Sequence, residues 1–157
     1  MKPLVYVETS VISYLTARTS SHLVTAARQA WTSEWWEIAP SYWDLRISEL
    51  VIREAARGDS QAAQRRLAAL ASMAIVEMTE ESQILARRLI EIGAVPASEP
   101  EDALHIAVAS VSNAEFLVTW NFAHLAGPAA KMKLQNHLRE IGVHIPLLTT
   151  PEELMES

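Results

Sequence analysis

The amino-acid sequence predicts an α/β fold, a three-layer sandwich in which a mainly parallel central β-sheet carries helices on both faces. Three observations lead there. Apolar runs of four to six residues alternate along the chain with longer segments of helical periodicity. Gly58, Gly93 and Gly142 each close one of those helical segments, at the position where a left-handed residue stops a helix. Strands separated by helices need crossover connections, and crossovers give parallel strands covered on both sides.

The elements follow in order. Residues 4–7 (Leu-Val-Tyr-Val) form an apolar run expected to be a buried strand. Thr9 and Ser10 come next, both suited to cap a helix. Residues 20–37 read as a helix carrying Trp31, Trp35 and Trp36. Residues 42–47 alternate apolar and polar positions with period two, a strand pattern. Ser48 is placed to cap a short helix that ends at Gly58, and a further helix is expected over 60–71. Residues 73–78 read as a strand, and Thr79 opens a helix ended by Gly93. Ser98 and Glu101 form a capping-box pattern before a helix over 101–112. A strand over 116–119, a helix over 129–141, a strand over 145–148 and a helical turn at Thr150–Leu154 complete the list. With no repeat, low-complexity tract or linker, the whole span 1–157 is expected to be a single domain.

Composition narrows the function. Half of the residues are apolar, enough for a packed core. No apolar stretch reaches the about 18 residues of a membrane span, and Glu8 interrupts the only stretch resembling a signal sequence. No cysteine is present, which excludes disulfides, thiolate zinc sites and cysteine nucleophiles and fits a cytoplasmic location. The net charge of −6 argues against a passive nucleic-acid binder, which is usually basic. It leaves room for a nuclease, because bound cations invert the charge of an acidic site. Only four glycines occur, and none forms a phosphate-binding loop after the first strand. A serine nucleophile on a strand–turn–helix elbow is likewise missing.

Four oxygen-bearing side chains stand where a solvated surface explains them poorly. Glu8 ends the first strand, so it points into the crevice at the carboxyl edge of the sheet, where ligands bind in such folds. Glu54 shares a helical stripe with Leu50 and Val51, and Asp102 shares one with Ile106. Asn121 follows the strand 116–119 by two residues. Neighbouring buried carboxylates lose their charge unless a cation joins them, and oxygen-only ligands suit Mg²⁺ or Mn²⁺. Each residue singly also has an ordinary structural reading, as a helix-dipole partner or a first-turn charge.

The same positions fall within four motifs in order. They are Val5-Tyr6-Val7-Glu8-Thr9-Ser10, Ile47-Ser48-Glu49-Leu50-Val51-Ile52-Arg53-Glu54, Asp102-Ala103-Leu104-His105-Ile106-Ala107 and Leu117-Val118-Thr119-Trp120-Asn121-Phe122. On them the chain resembles the PIN-domain family, and within it the VapC-like toxins of type II toxin–antitoxin systems. The resemblance implies a metal-dependent endoribonuclease that hydrolyses RNA phosphodiester bonds, with Glu8, Glu54, Asp102 and Asn121 as catalytic and metal-binding residues. It implies Mg²⁺ or Mn²⁺ as cofactor, an RNA substrate, a cognate antitoxin, a homodimer and no membrane association. Two positions depart from the family pattern: Glu8 stands where Asp is commoner, and Asn121 stands where an acid is common. Those departures sustain the alternative, a catalytically silent PIN-like module that binds RNA or protein.

The remaining polar residues are expected to be structural. His105, on a mostly apolar helix, reads as a core histidine before a ligand, and His124 as a surface residue. Glu49 and Glu101 adjoin the motif acids but diverge from them by about 100° on a helix, toward water or supporting contacts. Thr9, Ser10 and Thr119 are suited to hydrogen-bond the carboxylates. The tryptophans are expected in core or interface, and Arg53, Arg57, Arg65 and Arg66 on solvated helix faces.

Overall fold

The computed structural model describes residues 1–121, 125 and 127–155. His124 lies outside them. Among the described residues the order is β1 (Leu4–Val7), α1 (Thr9–Thr16), α2 (Leu23–Tyr42), β2 (Asp44–Ile47), α3 (Glu49–Ala55), α4 (Ser60–Leu70), β3 (Ala74–Ile75), α5 (Glu80–Glu91), α6 (Pro100–Val111), β4 (Phe116–Val118), α7 (Pro128–Ile141), β5 (Leu147–Thr149) and α8 (Pro151–Met155). The five strands make one parallel sheet in the order β3-β2-β1-β4-β5. This is the predicted α/β architecture.

β1 is central, and Val5, Tyr6 and Val7 are wholly buried. Tyr6 registers with Arg46 on one side and Leu117 on the other. The chain first winds outward through β2 to β3, then crosses to β4 and β5 on the far side of β1. Right-handed crossovers running in opposite directions put their helices on opposite faces of the sheet. Helix contacts divide accordingly, α1, α2, α3, α4 and α8 in one connected group and α5 with α6 in another. The winding reverses between β1 and β4, so their carboxyl ends open a crevice there.

Several boundaries differ from expectation, each for a local reason. α2 begins at Leu23 and runs to Tyr42, through Pro40. A proline in the last turn forfeits one amide hydrogen bond without cutting the helix short. β2 consequently starts at Asp44. β3 shrinks to two residues because it lies at the sheet edge, where strands are short. β5 begins after Pro146, which has no amide to add to the ladder. The capping box at Ser98 and Glu101 does not form. Pro100 takes the first helical position, which shifts the cap to Glu99, without a side-chain cap bond. Thr79 caps α5 as expected, accepting from the Ser82 amide. α8 carries a reciprocal box instead: Thr150 Oγ1 accepts from the Glu153 amide and Glu153 Oε1 from the Thr150 amide, both at 3.1 Å. Gly142 closes α7 at φ +81°, a backbone that side chains with a Cβ rarely adopt.

The tryptophans serve the core. Trp35 is fully buried between the rings of Trp36 and Trp43, at centroid distances of 6.3 and 6.1 Å. Trp120 is buried too, its Nε1 donating to Thr32 Oγ1 at 2.8 Å. Arg65 and Arg66 spend their guanidinium groups on backbone carbonyls of Thr16 and Ala55, tying α4 to its neighbours rather than facing solvent alone.

Candidate metal centre

Three elements converge on the crevice. Glu8 follows β1 and occupies the cap position of α1, 7 % exposed. Its Oε1 accepts from the hydroxyls of Ser10 and of Thr119, the latter at 2.6 Å. Its Oε2 has no hydrogen-bond partner among the described residues. Thr119, which continues β4, also accepts the Asn121 amide at 3.0 Å, and Ser10 accepts the Trp120 amide at 2.8 Å. Glu8 is thereby stitched to the end of β4.

Glu54, in the last turn of α3, accepts on Oε1 from the Thr9 hydroxyl and from His105 Nε2, the latter at 2.7 Å. Asp102 sits in the first turn of α6 and is buried, with Asn121 Nδ2 3.5 Å from both of its oxygens. The negative charges of Glu8, Glu54 and Asp102 all act on the ring of His105. The structure thus brings Glu8 and Glu54 together with His105 at one edge of the sheet, and sets Asn121 against Asp102, three residues before His105 on α6.

His105 is buried and hydrogen-bonded at both ring nitrogens, as a core histidine should be. Sequence reasoning missed that one of those partners is Glu54. Glu8, Glu54 and His105 each present a ligand-type atom, all within 4.8 Å of one another. The only signal in the sequence was spacing: His105 is three residues after Asp102, on the same side of α6. Burial works against a charged His105. The hydrogen bond to Glu54 and the charges of Glu8, Glu54 and Asp102 outweigh it, and its pKa lies above the ordinary imidazole value. Burial, above all, pushes the Tyr6 phenol upward, so that group stays neutral.

Glu101 is less remote than expected. It forms a two-pronged ion pair with Arg57 at 2.8 and 3.1 Å, bridging α6 and the turn after α3. Its pairing with Glu54, and next with the Arg57 guanidinium, holds its carboxyl at about 2, well below the usual range. It belongs to the rim of the cluster.

Clustered carboxylates of this kind repel one another, and a divalent cation is the simplest counter-charge. The donor set fits a hard cation: oxygen atoms predominate, and the carboxylates are oriented by hydroxyl donors from behind. No helix among the described residues is long and apolar enough to cross a membrane.

A family model described as PIN domain matches residues 5–124. No curated protein matches the chain. Among solved structures, VapBC2 of Rickettsia felis, bound to a DNA fragment from their promoter, aligns with a TM-score of 0.60 at 15 % identity, covering 94 % of this chain and 98 % of that one. VapC20 of Mycobacterium tuberculosis, a toxin that cleaves the sarcin–ricin loop, aligns at 0.56 and 17 % identity, covering 76 % and 91 %. A toxin–antitoxin complex from Klebsiella pneumoniae aligns at 0.56 and 18 % identity, covering 80 % and 93 %. At such identities the likeness is one of fold.

Proposed function

This chain belongs to the PIN-domain family, and from that premise we propose that it is an endoribonuclease using Mg²⁺ or Mn²⁺, the toxin of a toxin–antitoxin pair. Glu8, Glu54 and Asp102 would hold the cation, with Asn121 beside Asp102 completing the site. The observation that carries the reading is the placing of Glu8 after β1, Glu54 on α3 and Asp102 on α6 so that the charge of each acts on one buried histidine, one Glu8 oxygen having no partner among the described residues. A bound divalent cation supplies an acidified water and neutralises charge developing on the phosphoryl oxygens.

The protein's own part is positioning. Ser10 and Thr119 hold Glu8, Thr9 and His105 hold Glu54, and Asn121 faces Asp102. Fixed carboxylates need no rearrangement as charge develops in the transition state. The neutral Asn121 lowers the charge of the cluster relative to a fourth acid, which favours a cation that keeps several waters.

The partner reading draws on the neighbours, two of which are toxin–antitoxin assemblies. On that analogy an antitoxin binds this chain; the proposal further takes the toxin as a homodimer, the span 1–157 as one domain and cytoplasmic RNA as the substrate.

Single-turnover cleavage of a mixed RNA pool with Mn²⁺ tests the function. Asp102→Asn should abolish cleavage while the chain stays folded. Cleavage that survives EDTA, or an Asp102→Asn protein as fast as the parent, would overturn the assignment. A parent that binds RNA without cutting it in Mn²⁺ supports the silent-module alternative.

A further inference from the structure

Behind the carboxylates runs a line of hydrogen bonds that metal binding alone does not call for. Tyr6 and Glu8 are two residues apart in extended chain, so both side chains leave β1 on one face. The Tyr6 hydroxyl lies 2.7 Å from Ser48 Oγ and 2.7 Å from His105 Nδ1. Across the ring, His105 Nε2 lies 2.7 Å from Glu54 Oε1, which also accepts the Thr9 hydroxyl. On spacing alone, with Glu8 and Glu54 within 4.8 Å, His105 is a candidate nitrogen ligand.

Counting protons decides otherwise. A carboxylate offers only acceptors, and Glu54 Oε1 already accepts the Thr9 hydroxyl, so the hydrogen shared with Nε2 is carried by the ring. With a neutral ring, Ser48 donates to Tyr6, Tyr6 donates to Nδ1, and Nε2–H donates to Glu54. With a charged ring, Nδ1–H donates to the Tyr6 oxygen, whose own proton turns to Ser48, and Nε2–H still donates to Glu54. Either arrangement satisfies every buried polar atom in the line. The remaining tautomer would set the Nε2 lone pair against a carboxylate oxygen at 2.7 Å. A nitrogen that carries hydrogen has no lone pair to offer a cation.

We infer that His105 is a positioning residue and not a metal ligand: anchored by Tyr6 and Ser48, it donates Nε2–H to Glu54 and fixes the direction of that carboxylate. The ligand set is then all oxygen, which selects a hard divalent cation over zinc. The cation half of this inference rests on the ribonuclease reading. The hydrogen-bond direction does not.

Two measurements test it. In isotope-labelled, metal-free protein, two-bond nitrogen–proton spectra report which ring nitrogen bears hydrogen, with His105→Gln identifying the signal. Nε2 should be protonated from about pH 6 to about pH 9, either side of the ordinary imidazole pKa, and the Nδ1 resonance should move in Tyr6→Phe. An unprotonated Nε2 overturns the inference. With Mn²⁺ added, pulsed electron paramagnetic resonance should detect no directly bonded nitrogen. His105→Gln, whose amide can still donate to Glu54, should keep Mn²⁺ affinity within about threefold, whereas His105→Ala should lose about ten- to a hundredfold, the usual effect of removing an outer-shell partner. Directly bonded nitrogen, or equal losses in both variants, refutes the positioning role. If the parent binds no Mn²⁺ at all, the ribonuclease reading falls, and the protonation spectra alone decide the role of His105.

Discussion

Replacing Glu8 by Gln isolates the electrostatics of the cluster without dismantling it. Gln keeps an acceptor oxygen for Ser10 and Thr119, so the stitch between β1 and β4 survives and only the charge goes. Taken at the upper limit of their spacing, 4.8 Å, an effective dielectric constant of about 20 makes the Glu8–Glu54 repulsion about 3.5 kcal/mol. A protonated His105 at the same spacing attracts Glu8 by a similar amount, so the two nearly cancel while the ring is charged. The groups facing His105 are Tyr6 and Glu8 at the end of β1, Glu54 on α3 and Asp102 on α6, and the folded-state pKa of the ring is raised. A raised pKa means the stabilisation from that proton is complete below the unfolded value of about 6.5 and is lost as pH rises through the folded value. In EDTA, Glu8→Gln should therefore match the parent in melting temperature at mildly acidic pH. Above the His105 pKa it should exceed the parent by up to about 7–14 °C, at about 2–4 °C per kcal/mol for a chain of this size. Thermal melts across the pH range would check this. An advantage that is absent, or equal at all pH values, would refute the calculation.

Three further outcomes follow from the same geometry. In the parent, millimolar Mn²⁺ or Mg²⁺ should raise the melting temperature reversibly by the linkage term, about 2.7 kcal/mol at a hundredfold excess over Kd, and Glu8→Gln should blunt that rise. Thr119→Val removes a buried hydroxyl that both donates to Glu8 and accepts from the Asn121 amide, and should cost about 1–3 kcal/mol in urea unfolding. Thr150→Ala breaks the reciprocal cap of α8 and should cost about 1 kcal/mol, read in the same melts, with RNA cleavage preserved.

The legible parts of the sequence were those ruled by local chemistry. The apolar run of β1, the Thr79 cap and the glycine stop at Gly142 follow from neighbours in the chain. Glu8, Glu54 and Asp102 stood out because a charge on an apolar stripe or at a buried strand end has few structural uses. Hydroxyls diverted from local use were not legible. Thr9 and Ser48 look like helix caps, yet Glu8 takes the cap position of α1, and Ser48, at the cap of α3, makes no side-chain cap bond. Thr9 serves Glu54, and Ser48 serves Tyr6 at the expense of about 1 kcal/mol of capping at α3. The pairing of Tyr6 with His105 spans 99 residues, and no periodicity reaches so far. The box at Ser98 failed for a smaller reason, a proline one position too early.

The central position of β1 also sets a clock on synthesis. Glu8 leaves the ribosome 111 positions ahead of the Thr119 hydroxyl that holds it. At about 5–20 residues per second, roughly 6–22 seconds separate the two. Through that interval β1 has no β4 beside it, and the crevice between them does not exist. A nascent chain therefore lacks the end of β4 that holds Glu8 until four of the five strands have been translated. Under the proposed ribonuclease function, RNA near the growing chain, including the message being read, meets the assembled cluster only after that last central pairing closes.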